Sequence, residues 1–312
     1  MRSITRKNGS LRQRSNTHSL LRLITSGRFA GADFAFVLIL FGGLFSSGIA
    51  QAEPALLLIG ASYATGSPPF NDNLQSPLGG VAVGFGSYLS LGDALVRNHR
   101  VSSAVINEAE AGATTFSRKS CFFECGDAGW NGYPEQLQKA LRRVAIPDPT
   151  DPARVLGYNA KYVVISLPVD CLHSEAFGIP QRETEPCGFD EMNDYIERLI
   201  GIAERVLEFG LKPVFTRMPR YGDLDLPLAR EKFGLLWVIN EVDYDTLRNL
   251  HTTNLREKDG ILVVDAWNGF RHRGDGLHPD SNTAQIAAQR ILYAIYADER
   301  CEALRFFRRR DC

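Results

Sequence analysis

A serine closes the apolar run Ala55-Leu56-Leu57-Leu58-Ile59-Gly60-Ala61-Ser62, and an aspartate and a histidine stand three apart in Asp275-Gly276-Leu277-His278-Pro279. A serine hydroxyl is a poor nucleophile until an imidazole accepts its proton. The imidazole in turn needs a carboxylate to hold its tautomer and stabilise the imidazolium that forms. Ser62, His278 and Asp275 supply those roles as nucleophile, general base and orienting acid. Each has a plainer reading when taken singly. A serine after a buried strand is ordinarily a turn or helix-cap residue, and Asp-Gly followed by a capping segment makes His278 a bystander. The presence of all three favours the chemistry.

For these residues to meet, the intervening chain must bring its two ends together. Short β-rich apolar runs at 55–59, 101–106, 162–166, 213–215 and 261–264 alternate with longer stretches of helical period. The segment around 88–96 and the stretches 134–144, 189–209, 228–250 and 282–297 are long enough to cross between strands. Strands apolar throughout, each followed by a helix, predict a parallel sheet covered on both faces, an α/β doubly wound architecture. In such sheets functional groups gather beyond the carboxyl ends of the strands, where Ser62 and the 273–280 loop both fall. No repeat or low-complexity linker divides residues 53–300, which are expected to form one domain, with 301–312 as a basic tail (Arg305-Phe306-Phe307-Arg308-Arg309-Arg310).

The chain has 312 residues, 35 basic and 36 acidic, but seven of the basic residues and only Asp33 among the acids fall in the first 52. The remainder is therefore net acidic, which argues against gripping nucleic-acid phosphates. The basic opening runs into an apolar stretch at 34–45 and then Ala50-Gln51-Ala52, the order of a secretory signal peptide. Residues 1–52 are expected to be that signal, with cleavage giving a chain that starts at Glu53, no membrane span thereafter and a periplasmic or secreted location. The apolar stretch falls short of the roughly 20 residues a spanning helix needs; an uncleaved N-terminal anchor is the alternative reading. All six cysteines lie after that point, which favours disulfides. Proximity in sequence suggests Cys121–Cys125, Cys171–Cys187 and Cys301–Cys312. No second cysteine pair or nearby histidine completes a zinc set around Cys121 and Cys125, so neither metal nor cofactor is expected. Gly79-Gly80 and Gly84-x-Gly86 lack the lysine of a phosphate-cradling loop.

At this point the sequence resembles the SGNH or GDSL serine hydrolases over most of residues 55–297. Gly60-Ala61-Ser62 looks like the first block of the family, with Ala where Asp is usual. Glu110-Ala111-Gly112-Ala113-Thr114-Thr115 is similar to the second, and Asp275-Gly276-Leu277-His278-Pro279 to the last. The resemblance implies a three-layer, flavodoxin-like fold with a five-stranded parallel sheet, Ser62, Asp275 and His278 as catalytic residues, and an oxyanion hole built from Ser62, Gly112 and the residue at 170. The third block departs from the pattern. Leu167-Pro168-Val169-Asp170-Cys171 puts Pro168 at the family's glycine and Asp170 at its asparagine. An ionised carboxylate only accepts hydrogen bonds, so beside a developing oxyanion it would repel. Burial could keep Asp170 protonated and make it a donor, another amide such as Asn131 could take the role, or the activity could be weakened. If the site is organised as in the family, an asparagine at 170 should retain or raise activity.

The reaction this implies is hydrolysis of a carboxylic ester through an acyl-serine. The expected substrates are short-chain acyl or O-acetyl esters of carbohydrate or lipid. Substrate walls are expected from residues 62–80 and from the loop 116–133, whose Phe122, Phe123, Trp130 and Tyr133 either hold a sugar ring or acyl chain or only cover the sheet edge. A small-molecule or carbohydrate ester is thus the expected partner, with no nucleic acid. The competing reading is a non-hydrolytic carbohydrate-binding protein or a polysaccharide O-acyltransferase on the same fold. The altered third block raises it, and the retained Ser62, Asp275 and His278 lower it.

Overall fold

The apolar run at 55–59 forms the central strand β1 (Ala55–Ile59), buried along its whole length, in a computed structural model that describes residues 53–65, 90–98, 104–119, 129–168, 170–174 and 185–308. The segment 1–52, most of the 62–80 insertion, Phe122, Phe123, Cys121, Cys125 and Cys312 lie outside the described residues, and so do the expectations that fall on them. Four more strands align parallel to β1: β2 (Val105–Asn107), β3 (Ala160–Ile165), β4 (Lys212–Thr216) and β5 (Leu262–Val264). Their order in the sheet is β2-β1-β3-β4-β5. This is the flavodoxin-like doubly wound order.

The helices follow from the same alternation. After the short turn of helix α1 (Ser62–Thr65) come α2 (Leu91–Arg97), α3 (Tyr133–Val144), α4 (Phe189–Glu208), α5 (Leu226–Phe233), α6 (Glu241–Arg256) and α7 (Ser281–Arg308). Along α4 the buried residues Met192, Tyr195, Ile196, Leu199, Ile200, Ala203 and Val206 recur every three or four positions, which makes one apolar stripe for the sheet. Parallel crossovers are right-handed, so the step from β1 to β2 puts α2 on one face, while the steps through β3, β4 and β5 put α3, α4 and α6 on the other. In accord with this, α2 packs on α7 and α4 on α6. Three layers result.

The single helix expected over 228–250 is instead two. Asp225 caps α5 by accepting the Leu228 N–H at 3.0 Å, and Gly234 ends it in the left-handed conformation at φ 63°. Asn240 then starts α6 by accepting the Asp243 N–H at 3.0 Å. Apolar residues from Leu235 to Ile239 carry the hydrophobic pattern across the break, so periodicity alone hides it, although the glycine is the usual stop signal.

The last helix is longer than the expected 282–297. It runs on to Arg308, through the stretch expected as a tail. Its outer half is tied to the starts of β3 and β4: Tyr162 donates to Asp298 at 2.9 Å, and Glu302 pairs with Lys161 at 3.0 Å and Lys212 at 3.2 Å. Among the described residues no helix is long and apolar enough to cross a membrane.

Of the expected cysteine pairs, Cys171–Cys187 is present, with Cα atoms 5.2 Å apart, and Cys301 is also disulfide-bonded. The Cys171–Cys187 bridge closes a 16-residue separation between the end of β3 and the start of α4. A loop of that size restricts the unfolded chain by about 3 kcal/mol. The double substitution Cys171→Ala with Cys187→Ala should lower unfolding free energy by that order, read as a reduced urea midpoint, with a slope that is equal or steeper because the uncrosslinked unfolded chain exposes more surface.

Candidate active site

The connections that leave β1 and β3 run to opposite faces of the sheet, so a crevice opens between the carboxyl ends of these two strands. This is the position at which doubly wound sheets bind ligands. Ser62 follows β1 and Asp170 follows β3. The turn after β1 is tightly enclosed. The Gly60 N–H donates to Gln136 Oε1 at 2.8 Å, and a Cβ at residue 60 would stand 2.8 Å from the Ser166 Cβ. Glycine is therefore required where β1 and β3 approach. Gln136 is fully buried and also donates to the Asn131 carbonyl at 3.1 Å.

The segment that carries Asp275 and His278 leaves β5, which β3 and β4 separate from β1. Three strand spacings are about 14 Å, yet the loop returns across them. Tyr63, next to Ser62, donates its hydroxyl to the Leu277 carbonyl, next to His278, at 2.6 Å. The Tyr63 ring packs edge-on against Trp267 at 5.2 Å and stacks on Phe270 at 5.7 Å, and it lies 6.2 Å from the His278 ring. Phe233 approaches the same imidazole edge-on at 5.5 Å. The start of α1 and the histidine loop thus share one aromatic wall.

Within that loop the Asp–His pair is built tightly. Asp275 Oδ2 lies 2.9 Å from His278 Nδ1, while Oδ1 accepts the backbone N–H groups of Leu277 at 2.9 Å and His278 at 2.8 Å. Arg273 Nε donates to Oδ2 at 2.6 Å. Burial opposes ionisation of Asp275, but the bond and charge of His278, together with Arg273 and the Leu277 amide, outweigh it and hold the carboxyl well below the usual carboxylate range. An ionised Asp275 can only accept, so Nδ1 carries the proton and the Nε2 lone pair is the basic site. Burial lowers the pKa of His278, with Asp275 pulling the other way. A neutral imidazole at neutral pH is what a general base requires.

The turn that carries the pair depends on residues that the sequence reading passed over. His272 Nδ1 accepts the N–H groups of Gly274 and Gly276, both at 3.1 Å. Gly276 adopts φ 85°, and a Cβ there would fall 2.1 Å from the Asp225 carbonyl oxygen. The Gly276 carbonyl accepts the Asp225 N–H at 2.8 Å, so the turn that carries Asp275 and His278 is seated against the start of α5.

The other expected site residues are found as follows. Gly112 has φ 77° in a segment anchored to the end of β1 by bonds from the Glu108 N–H to the Leu58 carbonyl at 3.0 Å and from the Glu110 N–H to the Gly60 carbonyl at 3.1 Å. Asp170 is buried and both its oxygens accept: Oδ1 takes the Thr115 N–H at 2.7 Å, and Oδ2 takes the Thr115 hydroxyl at 2.8 Å and Arg198 Nη2 at 3.5 Å. Burial outweighs the Thr115 bonds and the Arg198 charge, which pull the other way, and raises the Asp170 carboxyl above its ordinary value. Asn131, the alternative amide, is committed elsewhere, because its Nδ2 and its backbone N–H both donate to Glu110. Tyr133 is not a substrate wall. It is fully buried and donates to the Ser166 carbonyl at 2.7 Å, because the first turn of α3 packs its side chain under the sheet edge. Among the described residues no group of three or more His, Cys, Asp or Glu side chains is gathered that could hold a metal ion.

No protein-family model matches the chain, and no curated protein matches it. Solved structures that resemble it include the protein YxiM of Bacillus subtilis, at 13% identity and TM-score 0.44 over 80% of this chain and 57% of that one. Another is a Slackia heliotrinireducens protein whose description proposes an SGNH hydrolase, at 13% identity and TM-score 0.43 over 78% of this chain and 98% of that one. A third is a family two carbohydrate esterase of Clostridium thermocellum, at 14% identity and TM-score 0.45 over 80% of this chain and 65% of that one. The chain therefore spans less than two thirds of the length of the first and third of these.

The Tyr63–Leu277 bond lends itself to direct removal. Tyr63→Phe keeps the ring packing but leaves the buried Leu277 carbonyl without this donor, a loss of about 1–3 kcal/mol. Chemical denaturation of the variant should show a fall of that size.

Proposed function

We propose that the chain is an exported serine esterase that hydrolyses short-chain acyl or O-acetyl esters of carbohydrate or lipid through an acyl-serine intermediate. The observation that carries this reading is the buried Asp275–His278 pair at 2.9 Å, held at the carboxyl edge of the sheet by a loop that Tyr63 bonds beside Ser62. Ser62 Oγ attacks the ester carbonyl as His278 Nε2 takes its proton. Asp275 holds the imidazolium so formed. The carbonyl oxygen becomes an oxyanion, which the backbone N–H groups of Ser62 and Gly112 bind, and collapse expels the alcohol with the proton from His278. Water repeats the sequence on the acyl-serine, releasing the acid and restoring the hydroxyl.

Export is supported by the basic, apolar and small-residue order of residues 1–52 and by the Cys171–Cys187 disulfide, which persists in an oxidising compartment. A periplasmic or secreted enzyme meets polysaccharide and lipid esters there, and the absence of a long apolar lid in the sequence favours small acyl groups.

Two measurements test the reaction. Wild-type protein should turn over p-nitrophenyl acetate and be labelled by a fluorophosphonate, while Ser62→Ala and His278→Ala should lose at least about a thousandfold in kcat/KM and Ser62→Ala should lose the label. Labelling without turnover, with the acyl group passed to a sugar acceptor, would identify an acyltransferase. Neither signal would identify a binding protein. The pH profile follows from the direction of the His278 shift. Protonation removes the base, so kcat/KM should fall on the acid side with a midpoint below the ordinary histidine value of about 6.5. A midpoint above that value would contradict a desolvated His278 as the base.

A further inference from the structure

We propose that Asp170, Thr115 and Arg198 form a clamp that positions the loop carrying Gly112, so that the third block of this chain orders the oxyanion hole instead of donating to it. The inference rests on the esterase reading for its kinetic consequence and on three side chains for its geometry. The loop is fixed on its upstream side to β1, through the bonds of the Glu108 and Glu110 N–H groups to the Leu58 and Gly60 carbonyls. Gly112 follows in a left-handed conformation, and the Ala113 N–H closes a turn onto the Glu110 carbonyl at 3.0 Å. Downstream, Thr115 holds the loop to the end of β3 through two bonds to Asp170, one from its amide and one from its hydroxyl. Gly112 lies between the two anchors.

Arg198, on α4, sets the direction of the second bond. Its Nε donates to Thr115 Oγ1 at 2.7 Å, and a guanidinium can only donate. The Thr115 oxygen must accept there, which leaves its single hydrogen for Asp170 Oδ2. Arg198 Nη2 lies 3.5 Å from the same oxygen, and the guanidinium sits over the Phe116 ring at 5.2 Å from its centroid. The Asp170 side chain is 2% exposed and that of Arg198 36%, so the carboxylate is the enclosed member and the arginine the accessible one. An asparagine at 170 could accept the Thr115 amide but would turn its NH2 toward Arg198, donor against donor, and would leave the Thr115 hydroxyl hydrogen without its acceptor. The carboxylate is thus the group that fits this surround, and these three are positioning residues.

The test compares kcat and KM for p-nitrophenyl acetate, and fluorophosphonate labelling rates, in the full-length protein and four variants. Arg198→Met, Thr115→Val and Asp170→Asn should lower kcat and the labelling rate by about ten- to hundredfold, the effect of a misplaced catalytic group, with KM within about twofold. Thr115→Ser, which keeps the hydroxyl, should stay within about twofold of wild type in both. Amide hydrogen exchange over residues 112–116 should rise in Arg198→Met and stay at the wild-type level in Thr115→Ser. Arg198→Met carries the test should Asp170→Asn fail to fold. The clamp is overturned if Asp170→Asn retains or raises kcat, or if Arg198→Met leaves both kcat and exchange at wild-type values. Absence of turnover and labelling in the wild type would instead refute the esterase reading, and exchange in Arg198→Met and Thr115→Ser would then decide the clamp alone.

Discussion

The hydrogen bond from Tyr63 to the Leu277 carbonyl joins positions 214 apart in sequence, and it ties the start of α1 to the loop that carries Asp275 and His278. A parallel sheet ordered β2-β1-β3-β4-β5 puts the ends of the chain's first and last strands on the same edge but not side by side. The loop after β5 must turn back over two strands, and what makes it stay is an aromatic wall of Tyr63, Trp267 and Phe270 with one polar bond at its rim. Burial of large rings supplies most of the energy and the hydroxyl supplies the registry, the usual division of labour for a buried tyrosine. Serine and histidine are thereby carried on two elements that are bonded and packed to one another.

The same economy appears inside the histidine turn. Asp275 accepts from two backbone amides, from Arg273 and from His278, so one carboxylate both folds the loop and sets the imidazole tautomer. A group this heavily bonded stays ionised despite being buried, because each donor lowers the energy of the charged form while desolvation alone would raise it. His278 experiences the opposite balance, and the two neighbours are driven to the protonation states that a general base and its orienting acid require.

Much of this was legible in the residues. The strands at 55–59, 162–166 and 213–215 stand where apolar runs put them, because a strand buried on both faces has no polar alternation to confuse it. The candidate pair Asp275 and His278 was legible because both partners lie within one short turn. What stayed hidden is long-range. Gln136 bonds the Gly60 amide from 76 residues away, and Arg198 reaches Thr115 across 83, and nothing in the local pattern around either residue announces a partner. A buried glutamine on the apolar stripe of α3 was the one visible sign, since a polar side chain at a core position must have a bonding partner. The break between α5 and α6 was missed for a different reason: hydrophobic spacing continued across Gly234 and outweighed the stop signal that the glycine carries.

Gly276 has a broader implication. With a backbone oxygen of Asp225 where its Cβ would be, this position admits no side chain at all, and the contact is with main chain, which no rotamer change can relieve. Any descendant of this fold that replaced the glycine would have to shift the first turn of α5, and with it the Phe233 edge that faces the imidazole. The residue therefore couples the architecture of a peripheral helix to the orientation of the His278 ring, so drift in one is penalised through the other.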